Sequence, residues 1–149
     1  MSYAQARRAE YAPRFLLHPY IVPLPLACFA GALVTDICYV QTSTIQWANF
    51  SAWLLAVGLA FGILAAAAGL VDLFRTPSRQ RPAIVWLHAA GGLFVLLIVL
   101  VNNFVHARDG WTSVMPLGIT LSAVTVLFSF GLVYFGVRVA RHVRYGVVQ

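Results

Sequence analysis

An all-α fold, an antiparallel up-down four-helix transmembrane bundle with both termini cytoplasmic, follows from three observations. First, only 9% of the 149 residues are charged while 61% are hydrophobic, against roughly a quarter charged in a soluble domain. Second, the charges leave four uncharged stretches, 15–35, 37–71, 82–107 and 110–137. Each is long enough for a helix of roughly 20 residues to cross a ~30 Å hydrocarbon core. Third, nine of the ten arginines fall on one side of those stretches. Arg7, Arg8 and Arg14 precede the first; Arg75, Arg79 and Arg81 lie between the second and third; Arg138, Arg141 and Arg144 follow the fourth. Only Arg108 falls opposite, and the positive-inside rule makes the arginine-rich side cytoplasmic. None of the stretches alternates with period two, which excludes a membrane barrel.

The elements follow in order within a single domain, residues 1–149. A polar, basic arm covers 1–14. The first span, about 19–39, opens with Pro19, Pro23 and Pro25, which suit a helix start and a kink. An uncharged outer loop over 41–49 places Trp47 at an interface. The second span, about 50–71, carries Gly58, Gly62 and Ala66 at i+4 spacing, a stripe that lets two helices approach closely. A turn-rich cytoplasmic loop, 72–81, leads to the third span, about 82–105, with Pro82 at its start. After a second outer loop the last span covers about 113–137, and a basic tail ends the chain.

Several function classes are excluded. The net charge of +6 reads as orientation and contact with anionic lipid, because no basic patch interleaved with aromatics points to nucleic acid. Cys28 and Cys38, ten residues apart on one helix, are separated by about 15 Å of rise, beyond disulfide reach. No CxxCH motif for covalent haem occurs. Phosphate-binding loops, HExxH and GxSxG are also missing, so a hydrolase is not the expected class. The N-terminus lacks a small-residue cleavage site and is expected to be retained.

The histidines carry the chemistry. His18 starts the first span, His88 lies about two turns inside the third, and His142 lies about one turn beyond the fourth. The alternating helix directions bring all three to the cytoplasmic side. A histidine in or beside a bilayer is costly and needs a partner, a ligand or a proton to carry, and imidazole is the commonest haem and metal ligand. His88, in the apolar run Trp86-Leu87-His88-Ala89-Ala90-Gly91-Gly92, most needs an account. The small residues after it leave space for a porphyrin edge, a quinone head or a neighbouring helix. His18 can serve instead as a helix start before Pro19, and His142 as part of a lipid-facing basic face.

A second polar group lies at the outer end: Asp36, Asn102, Asn103 and His106, with Arg108 and Asp109 nearby. Asp36 is the one carboxylate well inside a hydrophobic run and should pair. Asn102, Asn103 and His106 are its natural partners. The group reads either as a network tying the first and third helices together or as an outer quinol or proton site.

The quoted segments are also familiar. His18-Pro19-Tyr20-Ile21-Val22-Pro23-Leu24-Pro25 followed by Gly31-Ala32-Leu33-Val34-Thr35-Asp36 resembles the opening of the bacterial membrane-protein family known as domain of unknown function 2231. The resemblance continues through Trp53-Leu54-Leu55, Gly69-Leu70-Val71-Asp72, Trp86-Leu87-His88 and Pro116-Leu117-Gly118 with Leu121-Ser122. The tail Gly136…Val139-Ala140-Arg141-His142 is similar as well. Ala140 stands where the family usually has tyrosine, and Phe15 stands near where many members carry a further histidine. The resemblance implies a four-helix protein of the bacterial inner membrane. Some relatives occur beside periplasmic dehydrogenase-like proteins, which implies a respiratory role.

The expectation is therefore an electron-transfer or accessory subunit rather than a stand-alone enzyme. It would bind b-type haem through His88 with His18 or His142 and exchange electrons with quinone or a membrane or periplasmic redox subunit. The alternative is a non-catalytic structural subunit of a larger complex or homo-oligomer, resting on the Gly58/Gly62/Ala66 stripe.

Overall fold

A computed structural model describes residues 17–75, 83–108 and 110–145. The expected basic arm of 1–14, the loop residues 76–81, Pro82, Asp109 and the His142 side chain lie outside the described residues.

The chain forms α1 (His18–Ile21), α2 (Pro23–Thr42), α3 (Ile45–Arg75), α4 (Ala83–His106), a 3-10 turn (Gly110–Ser113) and α5 (Leu117–Tyr145). α1 and α2 make one 25-residue apolar segment, interrupted at Val22. Pro23 and Pro25 have no N–H to return to the preceding turn, which accounts for the interruption. That segment, α3, α4 and the stretch Gly110–Val137 are each long and apolar enough to cross a membrane.

Two loops are shorter than expected. Ser43 turns the chain in the left-handed conformation, φ 54°. Its N–H donates to the Tyr39 carbonyl and the Thr44 carbonyl accepts from Trp47. Most of the expected outer loop is therefore helix, and Trp47 belongs to α3. At the other end of α3 the helix continues past Val71, so Asp72 is a buried helical residue rather than the first residue of a loop.

Consecutive helices pack side by side and α5 returns to α2, closing an up-down four-helix bundle in which α2 and α4 stand diagonally opposite. Phe29, Ala32, Leu55, Val95 and Val99 form the central core. A second cluster of Tyr39, Ala48 and Val114 lies at the end where α2 turns into α3. Large apolar side chains such as Trp53, Phe74, Leu87, Phe104 and Leu127 point outward, while Asp36, Ser51, Asn102, Ser122 and Thr125 are buried. A bundle whose outside is greasy and whose inside holds the polar groups is what lipid as solvent requires.

Candidate functional site: two histidine layers

Helices α2 and α4 do not pack directly, yet histidines bridge the first and third spans at both ends. At one end the His18 and His88 rings lie with centroids 5.9 Å apart and planes at 89°. At the other, His106 reaches Asp36.

His18 is held by α3 through three features. Its backbone N–H donates to Asp72 Oδ2 at 3.0 Å, so the buried carboxylate caps an N–H that α1 leaves unpaired. Its Nδ1 lies 2.8 Å from the Ala65 carbonyl. A carbonyl only accepts, so the ring donates from Nδ1. Finally, Gly69 lets the ring lie against the helix: a Cβ there would stand 3.1 Å from Nδ1. The His-Pro stretch and the Gly-Leu-Val-Asp stretch are thus two halves of one contact, which sequence reasoning missed by placing Asp72 in a loop.

His88 is seated in the same way against α5, where a Cβ at Gly136 would come 3.0 Å from Cε1. Its Nδ1 is buried and, among the described residues, has no hydrogen-bond partner. The small residues after His88 open space away from its ring: an open apolar groove of about 610 Å³ runs between α4 and α5, lined by Leu87, Ala90, Gly91, Phe94, Phe128 and Leu132 among others. His88 does not line this groove, because its ring turns toward His18 and Gly136 instead.

The opposite layer is fully enclosed. His106 Nε2 lies 2.9 Å from Asp36 Oδ1, with both side chains completely buried. Ser122 donates to Asp36 Oδ2 at 2.6 Å and accepts from Asn102 Nδ2 at 2.9 Å. His106 Nδ1 sits 3.1 Å from both the carbonyl and the side-chain oxygen of Asn102. Of the three candidate partners, His106 takes Asp36 directly and Asn102 joins through Ser122. Asn103 turns away to the Val99 carbonyl. Ser122 was not foreseen in this role; its signal was a small polar residue inside an apolar span. Gly118 makes room for this histidine too, since a Cβ there would meet Cε1 at 2.9 Å.

Hydrogen bonds to His106 and Ser122 satisfy both oxygens of Asp36, which offsets the cost of burying a carboxyl group in the bundle.

The small-residue stripe is used inside the chain. A Cβ at Gly58 would meet Phe29 at 2.6 Å, and one at Gly62 would meet Leu96 at 2.6 Å. Ala66 is exposed, while Ala65 and Ala68 are buried. Among the described residues, no three His, Cys, Asp or Glu side chains are grouped so as to hold a metal ion.

Neither a curated protein nor a solved structure matches the chain. Residues 14–149 match the family described as "Predicted membrane protein (DUF2231)", and the chain belongs to that family.

Proposed function

We propose that the protein is a small electron-transfer module of the bacterial inner membrane, holding one b-type haem through His18 and His88 and exchanging electrons with quinone or a partner redox subunit. The observation that carries this reading is the meeting of two imidazoles from different spans at 5.9 Å between centroids. The donor chemistry agrees. His18 offers Nε2 while its Nδ1–H is anchored on the Ala65 carbonyl, the outer hydrogen bond that orients metal-ligating histidines.

A pair of ligands suits a porphyrin, which brings four nitrogens of its own, better than a bare ion. Haem supplies one-electron chemistry when bound. The chain's part is to orient the two imidazoles: Asp72 and Ala65 hold His18, and Gly136 seats His88. By the positive-inside rule the arginine asymmetry supports a cytoplasmic side for this layer.

The visible spectrum of purified protein, with a pyridine haemochrome assay, tests the reading. A Soret band is expected, lost or shifted in both His18→Ala and His88→Ala. A colourless preparation from haem-supplemented cells would end it.

A further inference from the structure

The apolar groove between α4 and α5 has a definite depth. His88 rests on Gly136 and Gly91 faces Leu132, so the two helices run antiparallel with these pairs level. Leu87 and Phe135 therefore mark the groove's end toward the histidine pair, and Phe94 and Phe128 the end away from it. The Phe94 and Phe128 rings meet edge to face across the two helices, centroids 5.3 Å apart, and form an end wall. Between the ends the floor is open. Ala90 and Gly131 are exposed, and a Cβ at Gly131 would meet nothing within 4 Å.

Arg138 is the first charge on α5 beyond the groove. It follows Gly131 by seven residues and Phe135 by three, a spacing that puts it on the helix stripe carrying the groove. Leu127, at the far end, stands eleven residues before it, about 16 Å of helix rise. That is about half of a ~30 Å hydrocarbon core. The groove thus occupies a single leaflet, the one on the arginine side, and stops near the midplane.

The lining and the depth select an occupant. No polar side chain lines the groove, so the carbonyls of a quinone head find no donor in it. Nine residues line it, against about 20–30 a side in a stable protein interface, too few to seat a second copy. A hydrocarbon chain matches both lining and depth, and a cation on the same stripe complements a phosphate. We propose that the groove holds one acyl chain of an anionic phospholipid of the cytoplasmic leaflet, with Arg138 recognising its phosphate. Guanidinium groups bind phosphate oxygens in pairs, and anionic lipid gathers at basic segments beside a span. The site needs no haem and stands apart from the electron-transfer reading.

Native mass spectrometry of the full-length protein in detergent tests the site, with equal amounts of phosphatidylglycerol and phosphatidylcholine of identical chains supplied. One phosphatidylglycerol per chain is expected to stay bound, about fivefold over phosphatidylcholine, the scale of one arginine at an anionic surface. Arg138→Gln should remove that preference. Gly131→Leu, whose side chain fills the open floor, should lose the bound lipid. Arg108→Gln, on the opposite side, and Ala67→Leu, at an exposed position of α3, should bind like the parent. Equal retention of the two lipids by the parent, or parent-like retention in Gly131→Leu, overturns the proposal. So does a dimer or a bound quinone that Gly131→Leu abolishes while phosphatidylglycerol stays. Matching circular dichroism and elution profiles identify variants that fold. Arg138→Gln removes only a charge, so a preference that survives in it overturns the proposal whether or not Gly131→Leu folds.

Discussion

Asp36 and His106, seventy positions apart in the chain, meet at 2.9 Å with both side chains sealed from the surroundings. Ser122 and Asn102 complete the network, so three helices converge on a single carboxylate. Hydrogen bonding of both carboxyl oxygens is what makes the residue tolerable at this depth.

The network separates charge from hydrogen bonding. Asp36→Asn should keep it intact: the amide donates to a neutral His106 Nε2 and its oxygen still accepts from Ser122. Asp36→Ala strands His106 and Ser122 together. Thermal unfolding in detergent should find Asp36→Asn within about 1 kcal/mol of the parent and Asp36→Ala lower by about 3 kcal/mol.

Two glycines on α5 should respond with opposite sign. Nothing lies within 4 Å of a Cβ at Gly131, whereas one at Gly136 meets the His88 ring at 3.0 Å. Gly131→Ala should stabilise by about 0.5–1 kcal/mol through helix propensity and reduced unfolded-state entropy. Gly136→Ala should cost about 1–2 kcal/mol through overpacking. The same unfolding assay ranks the two.

Asp72 and the His18 ring act through different atoms, because the carboxylate accepts from the backbone N–H. His18→Ala keeps that bond, and Asp72→Ala loses it. Asp72→Ala should therefore lower stability by about 1 kcal/mol, as loss of a cap does, in the His18→Ala background as well as in the parent. A double-mutant cycle with near-zero coupling is the expected outcome.

The histidines should also separate by spectrum. Where a Soret band is present, Gly69→Ala should perturb it, since its Cβ would press on the His18 ring at 3.1 Å. His142→Ala should leave it unchanged, because His18 and His88 already supply two ligands. Absorbance spectra of the two variants check this.

Much of the architecture was legible as depth along each helix. Scarce charge marked the four spans, and Asp36 matched the level of His106 because both sit near the same end of an antiparallel pair. The same reasoning put His18, His88 and His142 at one end of the bundle without choosing between pairs. Loop boundaries were less accurate. Val71-Asp72 reads as the end of an apolar run, but the helix continues to Arg75 and Asp72 accepts from the His18 N–H. Ser122 was hidden for a different reason: hydroxyls are common in membrane helices, and its interest comes only from facing the interior.

The sequence by itself determined a four-helix membrane chain, the depth of each histidine and the need of Asp36 for a partner. These are one-dimensional properties of hydropathy and rise per residue. Only the tertiary structure decided that His18 pairs with His88, that Ser122 joins Asp36, and that Gly69, Gly118 and Gly136 each seat a histidine. Those outcomes depend on the rotation of each helix about its axis and on which helices are neighbours. Packing sets both, and no pattern along a single helix encodes them.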